Sequence, residues 1–331
     1  MKKLINHPES VVSEMVSGFV SAYQTSLKRV PGTNVVVRKD APVKGKVGII
    51  SGGGSGHEPA HGGYVGKGML DGAVAGEVFT SPTPDQIFEA IKAVDGGKGV
   101  LLVIKNYTGD VMNFEMAAEL AEAEGIEVAK IVVDDDAAVE NSTYTIGKRG
   151  IAGTVFVHKI AGALAETGAS LEEVAEVANH AIKNLSSMGM ALTPCTVPAA
   201  GKPGFSIGEN EMEIGTGIHG EPGIERSEIK TADEVAEILL EKTLLQLRLD
   251  ENSRVAVMIN GLGATPLMEL YIVYNKVAEI LKEKGIKVEE TFIGEYMTSL
   301  EMAGCSVTLL RLDSRLSELL NAKADTVAFK R

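Results

Sequence analysis

Apolar residues fall into short β-branched runs separated by longer stretches in which they recur every three or four positions. Between Thr33 and about Gly168 the runs "NVVVR", "KVGII", "KGVLLVIKNY" and "VAKIVVDDD" predict strands with helices between them, the alternation of an α/β domain with a largely parallel sheet. The stretch "TPDQIFEAIKAV" predicts a helix that starts at Thr83, with Pro84 in its first turn and Gln86 at capping-box spacing. Asp110 stands directly before "VMNFEMAAELAEAEG" as its N-cap, and Ser170 with Glu173 opens "SLEEVAEVANHAIKNL" as a second capping box. Near the N-terminus, Val11, Val12, Met15, Val16, Phe19 and Val20 share one helical face, with Pro8 suited to the first turn.

After about Leu185 the texture changes to "MALTPCTVPAAGKPGFSIGENEMEIGTGIHGEPGIE", rich in glycine and proline. Beyond it, Thr231 with Glu234 caps "ADEVAEILLEKTLLQL", and the strands "RVAVMIN" and "SVTLLRL" flank the helix "PLMELYIVYNKVAEILKEKG". The pattern predicts two α/β domains, residues 1–185 with a largely parallel sheet flanked by helices and residues 186–331 with a smaller mixed sheet. No repeat at solenoid spacing and no low-complexity tract occurs. One local echo joins the halves: "GHEP" at Gly56 to Pro59 and "HGEP" at His219 to Pro222.

Composition narrows the class of partner. A chain of 331 residues has room for two domains, and 44% hydrophobic with 23% charged residues is an ordinary globular balance. The formal charge of −13 offers no basic footprint for nucleic acid or an anionic membrane. Two cysteines, Cys195 and Cys305, are too few for a disulfide scaffold and read as core thiols. The N-terminal apolar residues are interrupted by charges with no cleavage-like site, and no apolar run approaches the ~20 residues of a membrane span. A cytoplasmic protein is expected.

The candidate chemistry centres on "SGGGSGHEPAH", Ser51 to His61, which follows a strand run. A P-loop needs a lysine and a Ser or Thr to close it, and no such sequence exists in the chain. The dinucleotide fingerprint also fails, because its last glycine falls on His57 or on Pro59. Two readings stay open: a tight strand-to-helix turn whose histidine caps a helix, or a pocket for a neutral polyhydroxylated molecule at the carboxyl end of a strand. "VIKNYTGD" adds Lys105 and Asp110 at a neighbouring strand end. Asp134 to Asp136 read as a solvated strand end in preference to a cation site. His57 and His61 carry the letters H-E-x-x-H, but Pro59 and the flanking glycines deny them the helix that a zinc site requires. His7 lies near the N-terminus, and His158 and His180 read as packing or surface residues of helices. His219, in "GTGIHGEPG", reads either as a plain turn residue or as an exposed imidazole able to attack a carbonyl.

Taken together, "SGGGSGHEP", "FTSPTPDQIFE", "VIKNYTGD", "TPCTVPAAGKP", "GIHGEPGIE" and "NGLGATPLMELYIVYN" resemble the K subunits of the phosphotransferase-dependent dihydroxyacetone kinases, over nearly the whole chain. The resemblance implies that dihydroxyacetone binds covalently, as a hemiaminal on the His219 ring nitrogen. Gly54, Ser55, Gly56, His57, Lys105 and Asp110 would hold its hydroxyls and the adduct oxygen, with His57 and Asp110 giving acid–base help. It also implies that this chain binds no cofactor or metal. The phosphoryl group would come from a separate L subunit carrying ADP and magnesium, recharged by an M subunit, and the K chain would be a homodimer. A non-catalytic relative that senses dihydroxyacetone and acts as a transcriptional co-activator is the alternative, and the presence of both His57 and Asp110 favours the kinase subunit.

Overall fold

The computed structural model describes residues 2–139 and 145–331. In the first half a 3-10 turn at Pro8–Ser10 leads into α1 (Val11–Ala22), β1 (Leu27–Arg29), β2 (Val35–Arg38), β3 (Gly48–Ser55), β4 (Gly66–Lys67) and β5 (Gly72–Val78). There follow α2 (Pro84–Val94), β6 (Val100–Lys105), α3 (Thr108–Ala123), β7 (Val128–Val133), α4 (Thr154–Ala165) and α5 (Leu171–Lys183). The second half comprises β8 (Leu185–Ala191), β9 (Glu211–Ile214), β10 (Glu225–Glu228), α6 (Ala232–Leu247), β11 (Arg254–Gly261), α7 (Leu267–Glu283), β12 (Lys287–Gly294), β13 (Gly304–Arg311), α8 (Ser314–Asn321) and β14 (Asp325–Thr326).

The first sheet has the order β1-β2-β5-β3-β6-β7, and its β5, β3, β6 and β7 run parallel. The second, β10-β9-β8-β13-β11-β12, is mixed, with β11 and β12 as its parallel pair. This is the two-part α/β architecture that the strand pattern predicts. The boundary expected after residue 185 falls at the first residue of β8. One apolar cluster runs from Ile49, Leu101 and Val103 of the first sheet through Val155, Phe156 and Ile160 of α4 to Met258 and Leu310 of the second. All twelve residues of α4 are buried. The outer faces are covered separately, by α2 and α3 on the first sheet and by α6 and α7 on the second.

Several expectations change on inspection. The glycines form no turn: Gly52, Gly53 and Gly54 lie inside β3. A Cβ at Gly52 would stand 2.5 Å from the Val74 carbonyl oxygen, and one at Gly54 2.5 Å from the Thr80 nitrogen. The glycines are therefore spacers that let β5 and the turn after it press against β3, and only a 3-10 turn at Gly62–Tyr64 follows before β4. β5 itself, "GAVAGEV", went unpredicted because small residues carry little strand propensity. Ser170 and Thr231 form full capping boxes. Thr83 makes no side-chain cap; Gln86 instead accepts the Asn34 N–H at 2.8 Å, tying α2 to β2. Cys195 and Cys305 are free and buried.

The acidic run after β7 is not solvated. Asp135 and Asp136 are each 1% exposed. Asp135 accepts the Ile151 and Gly153 N–H groups at 2.8 Å each and the Ser187 hydroxyl at 2.5 Å, so it closes the N-terminus of α4 onto β8. Asp136 faces the fully buried Arg149, whose Nε donates to it at 2.7 Å. Removing the Asp135 carboxylate would strand two backbone donors, each costing about 1–3 kcal/mol when buried, while the Ser187 hydroxyl keeps Thr308 Oγ1 at 2.7 Å. Asp135→Ala is therefore expected to lose about 3 kcal/mol or more of stability, measured by urea unfolding; a loss below 1 kcal/mol would show that α4 is held without it.

Candidate active site

Parallel strands β3 and β6 end on the same edge of the sheet, the edge at which open α/β sheets receive ligands. Here a cleft of ≈ 500 Å³ is lined by Gly54, Phe79, Ser81, Tyr107, Thr108, Gly109, Asp110 and His219. Asp110 is not the N-cap of the following helix; Tyr107 is, and Asp110 is the third residue of α3. Its side chain is drawn away from the helix N–H groups by two stronger partners. Oδ2 lies 3.3 Å from Lys105 Nζ, and Oδ1 accepts the Ser81 hydroxyl. Lys105 is fully buried, with its ammonium 5.6 Å from the centre of the Tyr107 ring. The carboxylate thus sits in the first turn of α3, anchored by an ammonium and a hydroxyl at the rim of the cleft.

His57 leaves the end of β3 and is held by the other half of the chain. Its Nδ1 donates to the Thr298 carbonyl at 2.7 Å. The backbones join as well, Leu300 N–H donating to the Gly56 carbonyl at 2.8 Å and Thr298 Oγ1 to the Glu58 carbonyl at 2.9 Å. This seam places His57 Nε2 3.0 Å from Nε2 of His219, which arrives on the loop between β9 and β10. Phe79 stacks on His57 with centroids 5.1 Å apart, while Tyr107 and Phe79 meet the His219 ring edge-on at 4.6 and 5.0 Å. The nucleophile candidate thus points one nitrogen at His57 between aromatic walls.

Its other nitrogen is also engaged. His219 Nδ1 lies 2.9 Å from Glu221 Oε1, and the same carboxylate accepts the His219 backbone N–H at 2.9 Å. Burial alone would raise the Glu221 carboxyl, but the charge and hydrogen bond of His219 and the Arg149 guanidinium outweigh it and hold the group at about 2. Burial, reinforced by His219 and Lys105, holds His57 well below the usual histidine range. Burial also keeps the Tyr107 phenol well above its usual value, so it remains protonated. The proton count follows from these partners. A carbonyl and a carboxylate accept only, so each ring donates from Nδ1 and would present a lone pair at Nε2. The two Nε2 atoms face each other at 3.0 Å, close enough for a hydrogen bond between the rings.

The other sequence candidates take different places. Ser55 Oγ donates to the Gly76 carbonyl at 2.7 Å, and the Gly56 N–H faces the Glu58 carboxylate at 3.1 Å. His61 turns from His57 to pair with the buried His158 at 3.0 Å, and His180 binds Asp313 at 2.5 Å. Among the described residues no group of three or more His, Cys, Asp or Glu side chains is arranged to hold a metal. No helix among them is long and apolar enough to cross a membrane. Sequence reasoning missed Glu221, Arg149, Phe79, Ser81 and Tyr107. For Glu221 the signal was present in the echo "GHEP" and "HGEP": Glu58 and Glu221 each accept the backbone N–H two residues earlier. Arg149 had no comparable signal.

Glu221 titrates from about 4.5 unfolded to about 2 folded, so its stabilising contribution is full above pH 4.5 and fades as the pH falls through 2. The shift corresponds to about 3 kcal/mol. The stability gap between the native chain and Glu221→Gln is expected to shrink by that order between pH 6 and pH 2 in urea unfolding; a gap independent of pH would mean that Glu221 is not the ionised partner.

The Dak1 domain family matches residues 17–328. The dihydroxyacetone-binding subunit of PTS-dependent dihydroxyacetone kinase 1 from Listeria innocua is 56% identical over 330 residues, 99% of this chain and 100% of that protein. Among solved structures, the dihydroxyacetone kinase of C. freundii in complex with AMP-PNP and Mg2+ superposes with a TM-score of 0.92 at 37% identity, over 99% of this chain and 61% of that one. A dihydroxyacetone kinase operon co-activator superposes at 0.89, also 37% identical, over 95% and 97% of the two chains. The chain belongs to the Dak1 family, whose members include the dihydroxyacetone-binding subunits of PTS-dependent dihydroxyacetone kinases.

Proposed function

We propose that this chain is the dihydroxyacetone-binding subunit of a phosphotransferase-dependent dihydroxyacetone kinase, that His219 holds the substrate as a hemiaminal, and that a separate L subunit with ADP and magnesium supplies the phosphoryl group. The observation that carries this reading is the His57–His219–Glu221 chain, with Nε2 of His219 directed at Nε2 of His57 and Nδ1 on a carboxylate.

The adduct balances with the groups present. With a proton on Nε2 of His57, the Nε2 lone pair of His219 attacks the ketone carbon, and the π pair leaves to the oxygen, which takes that proton from His57. A C–N bond forms, the carbonyl becomes a hydroxyl, and the positive charge ends on the alkylated ring. The charge starts within the histidine pair and ends on the ring that Glu221 faces, so little net charge separation is created in a buried site. A reversible covalent bond also compensates for how little a small triose can gain from contacts, at most about 1.5 kcal/mol per heavy atom.

Asp110, beside Lys105, takes the proton of the substrate hydroxyl as that oxygen attacks phosphorus and the bond to the donor's leaving oxygen breaks. The contribution of this chain is to place the acceptor oxygen and its base; the donor's metal neutralises phosphate charge on the partner. The likeness to a co-activator supports one competing role, a sensor that forms the adduct without transfer.

His219→Ala is expected to abolish the mass increment that dihydroxyacetone adds to the intact protein; an unchanged increment would remove His219 as the covalent residue. Asp110→Asn is expected to keep the adduct and lose about 10²–10⁴-fold in turnover with an ADP-loaded L subunit, the usual worth of a positioned base. Adduct formation without any turnover in the native chain would establish the sensor role instead.

A further inference from the structure

The loop that carries His219 is gripped from inside the protein by Arg149. The loop leaves β9 as a tight turn, with the Gly217 N–H donating to the Glu221 carbonyl at 3.2 Å and the Gly220 N–H to the Gly217 carbonyl at 3.1 Å. Arg149 stands behind it, fully buried. Its Nη2 donates to the Gly215 carbonyl at the start of the turn at 2.7 Å, while Nε donates to Asp136 at 2.7 Å. The third nitrogen meets the far end. A Cβ at Gly217 would lie 2.7 Å from Arg149 Nη1 and 2.1 Å from Glu221 Oε2, so guanidinium and carboxylate press on the same point of the backbone.

Glu221 thus stands between two groups. Oε1 faces His219 Nδ1, and Oε2 shares the Gly217 site with Arg149. Burial works against its charge, and His219 and then Arg149 sustain it. A carboxylate alone beside an imidazole draws a second proton onto the ring, and a ring protonated on both nitrogens has no lone pair with which to attack a carbonyl. A guanidinium behind the same carboxylate opposes that proton, because it is always charged and like charges disfavour one another. The other titratable groups beside the ring are His57 from the end of β3 and Tyr107 from the N-cap of α3, with Lys105 and Asp110 beyond them.

We propose that Arg149 is a positioning residue for His219: it fixes both ends of the turn and, through Glu221, keeps the ring neutral so that Nε2 holds its lone pair. The role rests on the reading of His219 as the nucleophile. It demands a planar fork, since an ammonium cannot meet Asp136, Gly215 and Glu221 from fixed directions at once.

The rate at which dihydroxyacetone adds to the full chain, followed by intact mass between about pH 5 and about pH 9, reads the neutral fraction of the ring. Arg149→Met combined with Asp136→Asn removes the charge without leaving an unpaired buried carboxylate, and an asparagine there still accepts the Ala138 N–H. Loss of the positive neighbour lets the ring keep a second proton to higher pH. The acid limb of the rate is therefore expected to move up by about one pH unit, an about tenfold loss on that limb that recovers at high pH. Arg149→Lys keeps the charge and is expected to keep the limb in place while losing rate at every pH. Arg149→Gln serves if the double variant does not fold. A limb left at its native pH when the charge is removed, or one that moves equally in Arg149→Lys, would overturn the proposal while the adduct on the native chain stands. No adduct on the native chain would overturn the reading of His219 and this role with it.

Discussion

The chemistry of this protein depends on one seam, where Gly56 to Glu58 of the first half meet Thr298 to Leu300 of the second. Backbone and side-chain hydrogen bonds cross it at 2.8 and 2.9 Å, and the Thr298 carbonyl also fixes the tautomer of His57. His57 and His219 are 162 residues apart, yet their rings meet at hydrogen-bond distance because this seam and the shared core set the halves in register. A site built across two sheets is only as well positioned as the joint between them, and much backbone bonding gathers around one imidazole.

Behind the seam, buried charge is arranged in matched sets. Asp136 faces Arg149, Glu221 faces His219, and Asp110 faces Lys105, each set with at least one member fully or almost fully buried. Such pairs add little to net stability against an apolar alternative, since desolvation offsets their attraction. What they do is fix protonation states. The His219 ring and the Arg149 guanidinium hold Glu221 ionised, and burial keeps His57 low.

Much of this was legible from residues alone. The β-branched runs became β2, β3, β6 and β7, and the spacing of Ser170 with Glu173 and Thr231 with Glu234 produced capping boxes. Long motifs identified the family before any geometry. The errors share a cause, which is that local spacing carries no record of tertiary partners. Gln86 left its cap for Asn34, Asp110 left its cap for Lys105 and Ser81, and the acidic run found donors on α4 and β8. β5 stayed hidden because glycine and alanine form a strand here only through what presses against them, and β12, an edge strand reading "KVEETFIG", shows no clean alternation.

The complete burial of α4 bears on how the chain is made. Its cover comes partly from β3, β6 and α5, which precede or closely follow it, and partly from α8, some 150 residues later. A ribosome therefore releases a helix destined for complete burial well before its last neighbour exists. During that interval the nascent first half exposes a surface that invites wrong partners, and it gains its protection only as the final turns of the polypeptide emerge.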